Sequence, residues 1–297
     1  MGEILHGNSV TIRDFASQIK LESPVANDSF GQVYRCVINE GKTKVAVKVF
    51  VIHPKRCLEE LEEALHRELM VWLKLSKSTY IVPLLGIAKF DYPLSALVSE
   101  WMPSGTLHEY LQDKAAILTA STRVELIKGV ARGVKYLRSE NVVHGDLHPG
   151  NVLIDASGNP RLTGFGLATV VGDQELQWTT TTEALEFISR WRAPEVIGIE
   201  CGPERPTFES DIYSLGSVIF FIISGDIPWK EKKNPHQISI ELSCKATPTR
   251  SKNIPNGLWN LIQQCWSWEP GHRPEAEKVL DYFNPSAIEA SQVRQPK

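Results

Sequence analysis

The chain has 297 residues, of which 42% are hydrophobic and 23% charged, and its formal net charge is −3 at pH 7. This composition is typical of a soluble folded chain, and it lacks the basic surplus of proteins that bind nucleic acid or anionic membranes. No stretch reaches the about 18 consecutive apolar residues of a membrane span, and the amino terminus is too polar for a signal peptide.

The cysteines are scattered along the chain without a CxxC pair. There are five of them: Cys36, Cys57, Cys201, Cys244 and Cys265. An odd number at these spacings fits neither a disulfide framework nor a zinc site. We therefore expect reduced thiols and a cytoplasmic protein.

The first third of the chain is rich in predicted β-strand. The stretches QIKLESPVA (18–26), QVYRCVI (32–38) and KTKVAVKVFVI (42–52) carry alternating or β-branched apolar residues. This pattern is typical of strands with one buried face. We expect them to form an antiparallel sheet.

A helical pattern follows from about residue 55 to 75. Leu61, Leu65 and Trp72 fall on one helical face, and Glu68 lies on that same face. Because a carboxylate on an inward face is costly unless it is paired, Glu68 predicts a basic partner. The alternative places Glu68 at the edge of the apolar stripe, where it reaches solvent.

Helical patterns dominate the remainder, after a predicted strand SALVSEWM (95–102) and a turn at PSG. The segment TRVELIKGVARGVKYL (122–137) places an apolar stripe on one helical face, and two further apolar segments, DIYSLGSVIFFIISG and NGLWNLIQQCW, also read as helices. The stripe consists of Val124, Ile127, either Val130 or Ala131, Val134 and Leu137.

This pattern predicts a small β-rich lobe, a hinge and a larger helical lobe. The predicted bounds are 1–18 for an amino-terminal extension, 19–99 for the small lobe, 100–104 for the hinge, 105–284 for the large lobe and 285–297 for a polar tail. The extension is too short to fold as a domain of its own.

Short motifs then follow one another along the chain. They are VAVK ending in Lys48, HGDLHPGN from His144 to Asn151, WRAPE ending in Glu195, DIYSLG beginning at Asp211 and CWSWEPGHRP containing Arg273. In this order they resemble the eukaryotic protein kinase family from Ile19 to Phe283, and their wording is similar to its tyrosine-kinase-like group. HGDLHPGN alone also occurs in small-molecule phosphotransferases such as aminoglycoside and choline kinases, which lack the later motifs.

The resemblance implies an α+β bilobal kinase fold whose small lobe contains the helix known in the family as αC. It implies that Lys48 contacts the nucleotide phosphates and pairs with Glu68, and that Asp146 is the catalytic base. It further implies that Asn151 is a metal ligand, that Glu195 pairs with Arg273, and that Asp211 is structural. The implied nucleotide-binding residues are Val25, Gly31, Val33, Ala46, Lys48, Ser99, Glu100, Met102 and Leu153.

The sequence departs from the family pattern where phosphate and metal should bind. Of the glycines in the family's phosphate loop only Gly31 is present, and Asp28 adds a negative charge there. Gly164, in RLTGFGLA, stands where the family has a metal-binding aspartate. Losing such a charged group typically costs a hundredfold or more in rate. Neither Asp155, in a predicted hairpin turn, nor Asp173 compensates.

Cationic and substrate-contacting positions are also altered. Gly145 replaces the family arginine before the catalytic aspartate, and His148 replaces a lysine typical of serine/threonine kinases. Ile188 stands where those kinases commonly have a threonine. Thr179–Thr182 is interpreted as a polar loop, and the alternative is a loop that is regulated by phosphorylation.

These departures predict a pseudokinase that acts by binding a protein partner, and they leave ATP binding open. The alternative is an active ATP-dependent kinase with an atypical metal site, supported by the intact set of Lys48, Glu68, Asp146 and Asn151. Mg²⁺ or Mn²⁺ would be needed only in that alternative, and the partner would then be a protein substrate.

Overall fold

The chain divides into two units after Met102, a position inside the predicted hinge. A computed structural model describes residues 12–27, 31–50, 58–90, 92–170 and 189–284. The first unit contains a sheet and one helix, and the second is mainly helical. The predicted α+β class is confirmed.

The first unit is built on an antiparallel sheet with strand order β1-β2-β3-β5-β4. Its strands are β1 (Pro24–Asn27), β2 (Gly31–Ile38), β3 (Thr43–Phe50), β4 (Leu84–Ala88) and β5 (Ala96–Glu100). The prediction of a strand over 18–26 is wrong in its first half. A 3₁₀ turn at Ala16–Gln18 lets Phe15 and Ile19 enter the core from one side, so extended pairing begins only at Pro24.

The two faces of this sheet differ in character. Val45, Val47 and Val49 of β3 point into a closed apolar core together with Phe15 and Val98. The alternate residues therefore point to the opposite face. On that face Lys48 pairs with Val33 across β2, and Ala46 pairs with Ser99 across β5.

Helix α1 (Leu58–Leu75) carries the predicted stripe. Leu61, Leu65, Glu68 and Trp72 are all buried, which confirms the periodicity. The indole Nε1 of Trp72 donates a hydrogen bond of 2.7 Å to the carbonyl of Val82, so the polar edge of this buried ring is satisfied.

The second unit contains the remaining described helices. They are α2 (Leu107–Lys114), α3 (Ala120–Ser139), α4 (Pro194–Ile197), α5 (Phe208–Ser224), α6 (Pro235–Ser243), α7 (Asn256–Cys265) and α8 (Ala276–Tyr282). Short strands form two antiparallel pairs, β6 (Val142–Val143) with β9 (Thr169–Val170) and β7 (Val152–Ile154) with β8 (Pro160–Leu162). The hairpin predicted around Asp155 is the β7–β8 pair.

Helices α3 and α5 form the centre of this unit. The predicted stripe of α3 is buried from Ile127 to Leu137, whereas Val124 is only half-buried. Helix α5 is buried without a break from Ser210 to Ile222, so it lies in the core of the helical unit. Among the described residues, no helix has the length and apolar character needed to cross a membrane.

Two glycines on α3 let the β7–β8 hairpin approach closely. A Cβ at Gly129 would lie 2.4 Å from Cγ of Pro160, and one at Gly133 would lie 2.8 Å from Cδ1 of Leu162. Glycine costs about 1 kcal/mol relative to alanine in a helix interior, so these positions favour close packing over helix propensity. The hairpin that follows HGDLHPGN is thereby fixed against the central helix.

We expect Gly129→Ala to lower the free energy of unfolding by about 1–2 kcal/mol, although alanine is the better helix former, because overpacking outweighs the propensity gain. Urea unfolding followed by circular dichroism measures the change. The double variant Gly129→Ala with Pro160→Ala removes the colliding ring and should recover part of the loss. Increased stability of the single variant would contradict the close approach.

Candidate functional site

In the first unit, a lysine and a glutamate meet on one face of the sheet. Nζ of Lys48 lies 3.1 Å from Oε1 and 3.5 Å from Oε2 of Glu68, and the Glu68 side chain is 3% exposed. Glu68 thus has the basic partner that its inward position required, and it does not reach solvent. Nζ of Lys48 also lies 5.0 Å from the centre of the Phe50 ring.

The residues predicted to surround a nucleotide base fall at several positions in this unit. Val33 and Ala46 are half-buried and share the Lys48 face, where Ser99 is buried. Gly31 is tightly packed, because a Cβ there would lie 2.1 Å from the carbonyl oxygen of Val49. Burial and packing of these side chains do not test nucleotide binding, so that role stays a prediction.

The other predicted nucleotide-binding residues differ in exposure. Val25 in β1 is 53% exposed, Glu100 is exposed and the Met102 side chain is buried. Leu153 belongs to the second unit, where it is half-buried in β7 and forms an isolated bridge with Thr106.

In the second unit, Asp211 at the start of α5 holds the segment that contains Asp146. Its Oδ2 accepts a hydrogen bond of 2.7 Å from the backbone N–H of His144, and its Oδ1 accepts one of 2.9 Å from that of Gly145. Gly145 has φ +74°, a left-handed conformation that glycine adopts without strain. Burial raises the pKa of Asp211 to about 7, although both backbone donors lower it.

His144 is completely buried and its hydrogen bonds define one tautomer. Nε2 donates to the carbonyl oxygen of Thr163 at 2.9 Å, and Nδ1 accepts from the backbone N–H of Asp146 at 3.2 Å. The ring centre lies 5.4 Å from that of Phe165. Burial lowers the pKa of His144 to about 4. The ring is therefore neutral at pH 7 and connects the Asp146 segment to the Gly164 segment.

Acid should destabilise the protein through His144. A folded-state pKa depressed to about 4 means that the unfolded chain binds this proton first, so stability falls as pH drops from about 6.5 towards 4. Between pH 7.5 and 5 we expect a loss on the order of 1–2 kcal/mol from this group. Urea unfolding at both pH values measures it. In His144→Asn the difference between the two pH values should shrink, and an unchanged difference would assign the acid sensitivity elsewhere.

Asp146 is surrounded by hydrogen-bond donors and positive charge. Its Oδ1 lies 3.0 Å from Nη2 of Arg192 and its Oδ2 lies 3.3 Å from Nδ2 of Asn151. Nε2 of His148 is 3.7 Å from Oδ2. Burial alone would raise the pKa of Asp146, but His148 and the charge of Arg192 outweigh it and hold the pKa well below its ordinary value. The side chain is an ionised carboxylate.

The segment with the missing aspartate packs directly on Asn151. Gly164 has φ +79°, and a Cβ built there would lie 2.4 Å from Oδ1 and 2.8 Å from Nδ2 of Asn151. The Asn151 amide is held in place, since Nδ2 donates 2.8 Å to the carbonyl oxygen of Asp146. The amide of Asn151 therefore occupies the space that a side chain at position 164 would need.

The residues present do not fit the divalent cation that the family pattern implies. Hard cations prefer charged oxygen ligands, and Gly164 supplies none. Asp155 is committed elsewhere, because it accepts backbone N–H bonds from Ser157 and Asn159 and pairs with Arg161 at 3.0 Å. Within the described ranges, no cluster of three or more His, Cys, Asp or Glu side chains has the geometry of a metal site.

Glu195 and Arg273 form a buried bidentate ion pair. The two contacts are 2.6 Å from Nη1 to Oε1 and 2.8 Å from Nη2 to Oε2, and the Arg273 side chain is 0% exposed. Arg273 also donates to the carbonyl oxygens of Ser267 and Glu209 and lies 5.2 Å from the centre of the Tyr213 ring. This arginine joins the start of α4 to the segments around α5 and α7.

Sequence reasoning did not single out Arg192, although it lies inside the WRAPE motif. The signal in the sequence was an arginine directly after Trp191. The motif did not show which residue this arginine would contact. Other predicted positions, namely Asp28, Asp173, Thr179–Thr182 and Ile188, lie outside the described residues.

Comparison with known proteins relates the whole of this arrangement to one family. A family model described as protein tyrosine and serine/threonine kinase matches residues 19–283. Serine/threonine-protein kinase STY46 of Arabidopsis thaliana is 26% identical over 281 residues, covering 94% of this chain and 46% of that protein. Serine/threonine-protein kinase STY17 of the same plant is 25% identical over 268 residues, covering 90% of this chain and 44% of that protein. The chain thus spans less than half the length of these curated relatives.

Proposed function

Because the chain belongs to the protein tyrosine and serine/threonine kinase family, we propose that it is a pseudokinase of the tyrosine-kinase-like group. It transfers little or no phosphate and signals by binding a protein partner. The observation that carries this proposal is the pair formed by Gly164 and Asn151, where a neutral amide fills the space next to the missing carboxylate.

Charge explains why this one position matters so much. Phosphoryl transfer leaves the protein little covalent work, so catalysis depends on positioning and on neutralising the phosphate oxygens. Without a carboxylate at 164, Asn151 is the only family metal ligand left, and Oδ1, the atom through which it could bind a cation, carries no charge. In contrast, Glu195, Asp211 and Arg273 keep well-formed contacts, which supports a folded binding module.

A second candidate is an active serine/threonine kinase that uses an atypical metal arrangement. Three observations favour it. Lys48 and Glu68 are paired at 3.1 Å, and Asp146 is ionised, as a catalytic base must be. The relatives named above are serine/threonine kinases. In this candidate Lys48 contacts the nucleotide phosphates and the substrate is a protein.

One assay separates the two candidates. Labelled phosphate from ATP is offered with Mg²⁺ and with Mn²⁺, and incorporation is measured in the protein itself and in a generic protein substrate. We expect the same background in the natural chain and in Asp146→Asn. Incorporation that disappears in both Asp146→Asn and Lys48→Met, with circular dichroism unchanged, would establish the active kinase and reject the pseudokinase.

ATP binding is measured separately, because binding and phosphotransfer need different groups. Titration of the chain with ATP in EDTA and then in Mg²⁺ shows whether nucleotide binds and whether the cation strengthens it. For the pseudokinase we expect any affinity to be the same in the two buffers. A large gain in Mg²⁺ would show a working metal site despite Gly164.

A further inference from the structure

Asp146 is enclosed on both of its carboxylate oxygens. Oδ1 lies 3.0 Å from Nη2 of Arg192, and Oδ2 lies 3.3 Å from Nδ2 of Asn151 and 3.7 Å from Nε2 of His148. The side chain as a whole is 9% exposed. A catalytic base must come within about 2.6–3.2 Å of the hydroxyl whose proton it takes. A substrate hydroxyl would therefore have to compete with these donors for the two carboxylate oxygens.

Two of the three donors belong to the same short segment as Asp146. The backbone N–H of Gly150 donates to Nδ1 of His148 at 3.1 Å, which leaves Nε2 as the ring nitrogen that can donate towards Asp146. Asn151 is fixed in the same way by the carbonyl oxygen of Asp146. These contacts are built into the segment from His144 to Asn151.

Arg192 is different, because it reaches Asp146 from the segment that precedes α4. Its side chain is 12% exposed, and within the described part of the chain its buried Nε has no hydrogen-bond partner. Burying a guanidinium with an unsatisfied donor costs free energy. The ion pair with Asp146 offsets part of that cost. Of the three donors, Arg192 is the one that lies outside the segment from His144 to Asn151.

We propose that Arg192 is a positioning residue that closes Asp146 by occupying Oδ1, so that this carboxylate cannot accept a substrate proton while the pair is formed. The proposal adds to the proposed function a second cause of silent phosphotransfer, located at the base and independent of Gly164. It assigns Asp146 the role of an internal counter-ion that holds the segment before α4 against the segment from His144 to Asn151.

The first test is a double-mutant cycle on stability. Arg192→Met, which keeps the apolar stem, is combined with Asp146→Asn, and urea unfolding is measured for all four proteins. We expect coupling of at least about tenfold in the unfolding equilibrium constant, the size expected for residues in direct contact. Arg190→Met is the matched control, since Arg190 donates to the carbonyl oxygens of Pro228 and Lys232. It should not couple to Asp146→Asn.

The second test measures access to the carboxylate itself. A water-soluble carbodiimide with glycinamide converts accessible carboxyl groups to amides, and mass spectrometry measures labelling of the Asp146 peptide relative to Asp155. Asp146 should be protected in the natural chain, in Arg190→Met and in Arg192→Lys, and labelled several-fold faster in Arg192→Met. If Arg192→Met is too unstable to purify, Arg192→Gln is measured instead.

The proposal is overturned if the stability effects of Arg192→Met and Asp146→Asn simply add in the double variant. It is also overturned if Asp146 is labelled at the same rate in the natural chain and in Arg192→Met. Neither measurement uses ATP or a metal ion. Equal labelling would reject the role of Arg192 and leave the pseudokinase, which depends on Gly164, in place. A phosphotransfer assay that finds an active enzyme would reject the pseudokinase and also the claim that the pair silences Asp146, whereas the ion pair itself would stand on the cycle and the labelling.

Discussion

Arg273→Met should lower the free energy of unfolding by about 3–5 kcal/mol, because it leaves the Glu195 carboxylate without its buried partner. Arg273 is completely enclosed and makes two short contacts with Glu195, so the ion pair is not screened by solvent. The variant also abandons the carbonyl oxygens of Ser267 and Glu209. Unfolding in urea, followed by circular dichroism, measures the loss.

An exposed arginine on α3 gives the matched control. Arg138 lies 3.2 Å from Glu275 with both side chains well exposed, and exposed pairs contribute only about 0–1 kcal/mol. Arg138→Met should therefore change stability little. A double variant, Arg273→Met with Glu195→Gln, should recover part of the loss, since no charge is then left buried. Equal effects at Arg273 and Arg138 would contradict a buried ion pair.

A side chain at position 164 should destabilise the protein by about 2–3 kcal/mol, because a left-handed backbone and a collision act together. Gly164→Ala places a Cβ 2.4 Å from the Asn151 amide. Gly158→Ala is the control for backbone strain alone. Gly158 has φ +83°, and the nearest atom to a Cβ built there is the hydroxyl oxygen of Tyr110 at 3.6 Å. The difference between the two variants measures the collision.

The same collision limits what Gly164→Asp can restore. We expect no gain in Mg²⁺-dependent ATP binding from this single substitution, because the new carboxylate must first expel the Asn151 amide from its hydrogen bond with Asp146. Calorimetric titration with ATP in Mg²⁺ and in EDTA measures it. A strong gain from Gly164→Asp alone would show that Asn151 moves aside at little cost.

Periodicity and motif order were sufficient for the α+β class and for most elements. The stripe containing Leu61, Leu65 and Trp72 predicted the helix. It left two positions open for Glu68, and the structure has the buried, paired one. The same reasoning misplaced the first strand, because Phe15 and Ile19 enter the core through a 3₁₀ turn that alternation does not reveal. A short-range pattern cannot distinguish a strand from a 3₁₀ turn when both would bury the same residues.

At the site, the sequence could show which groups were missing but not what fills their place. The absence of a carboxylate at Gly164 is visible in RLTGFGLA. The approach of Asn151 to that glycine, and of Arg192 to Asp146, depends on segments that are far apart in sequence and adjacent in the fold. No spacing rule predicts such contacts.

The position of the Asn151 amide beside Gly164 also sets the order in which substitutions at this site are tolerated. In a chain with this packing, losing a side chain at 164 relieves crowding, whereas regaining one meets the collision before any metal can reward it. Most proteins are only marginally stable, so an intermediate that loses about 2–3 kcal/mol is readily removed by selection. In a chain with this packing, a side chain at position 164 is therefore tolerated better once Asn151 has been rearranged.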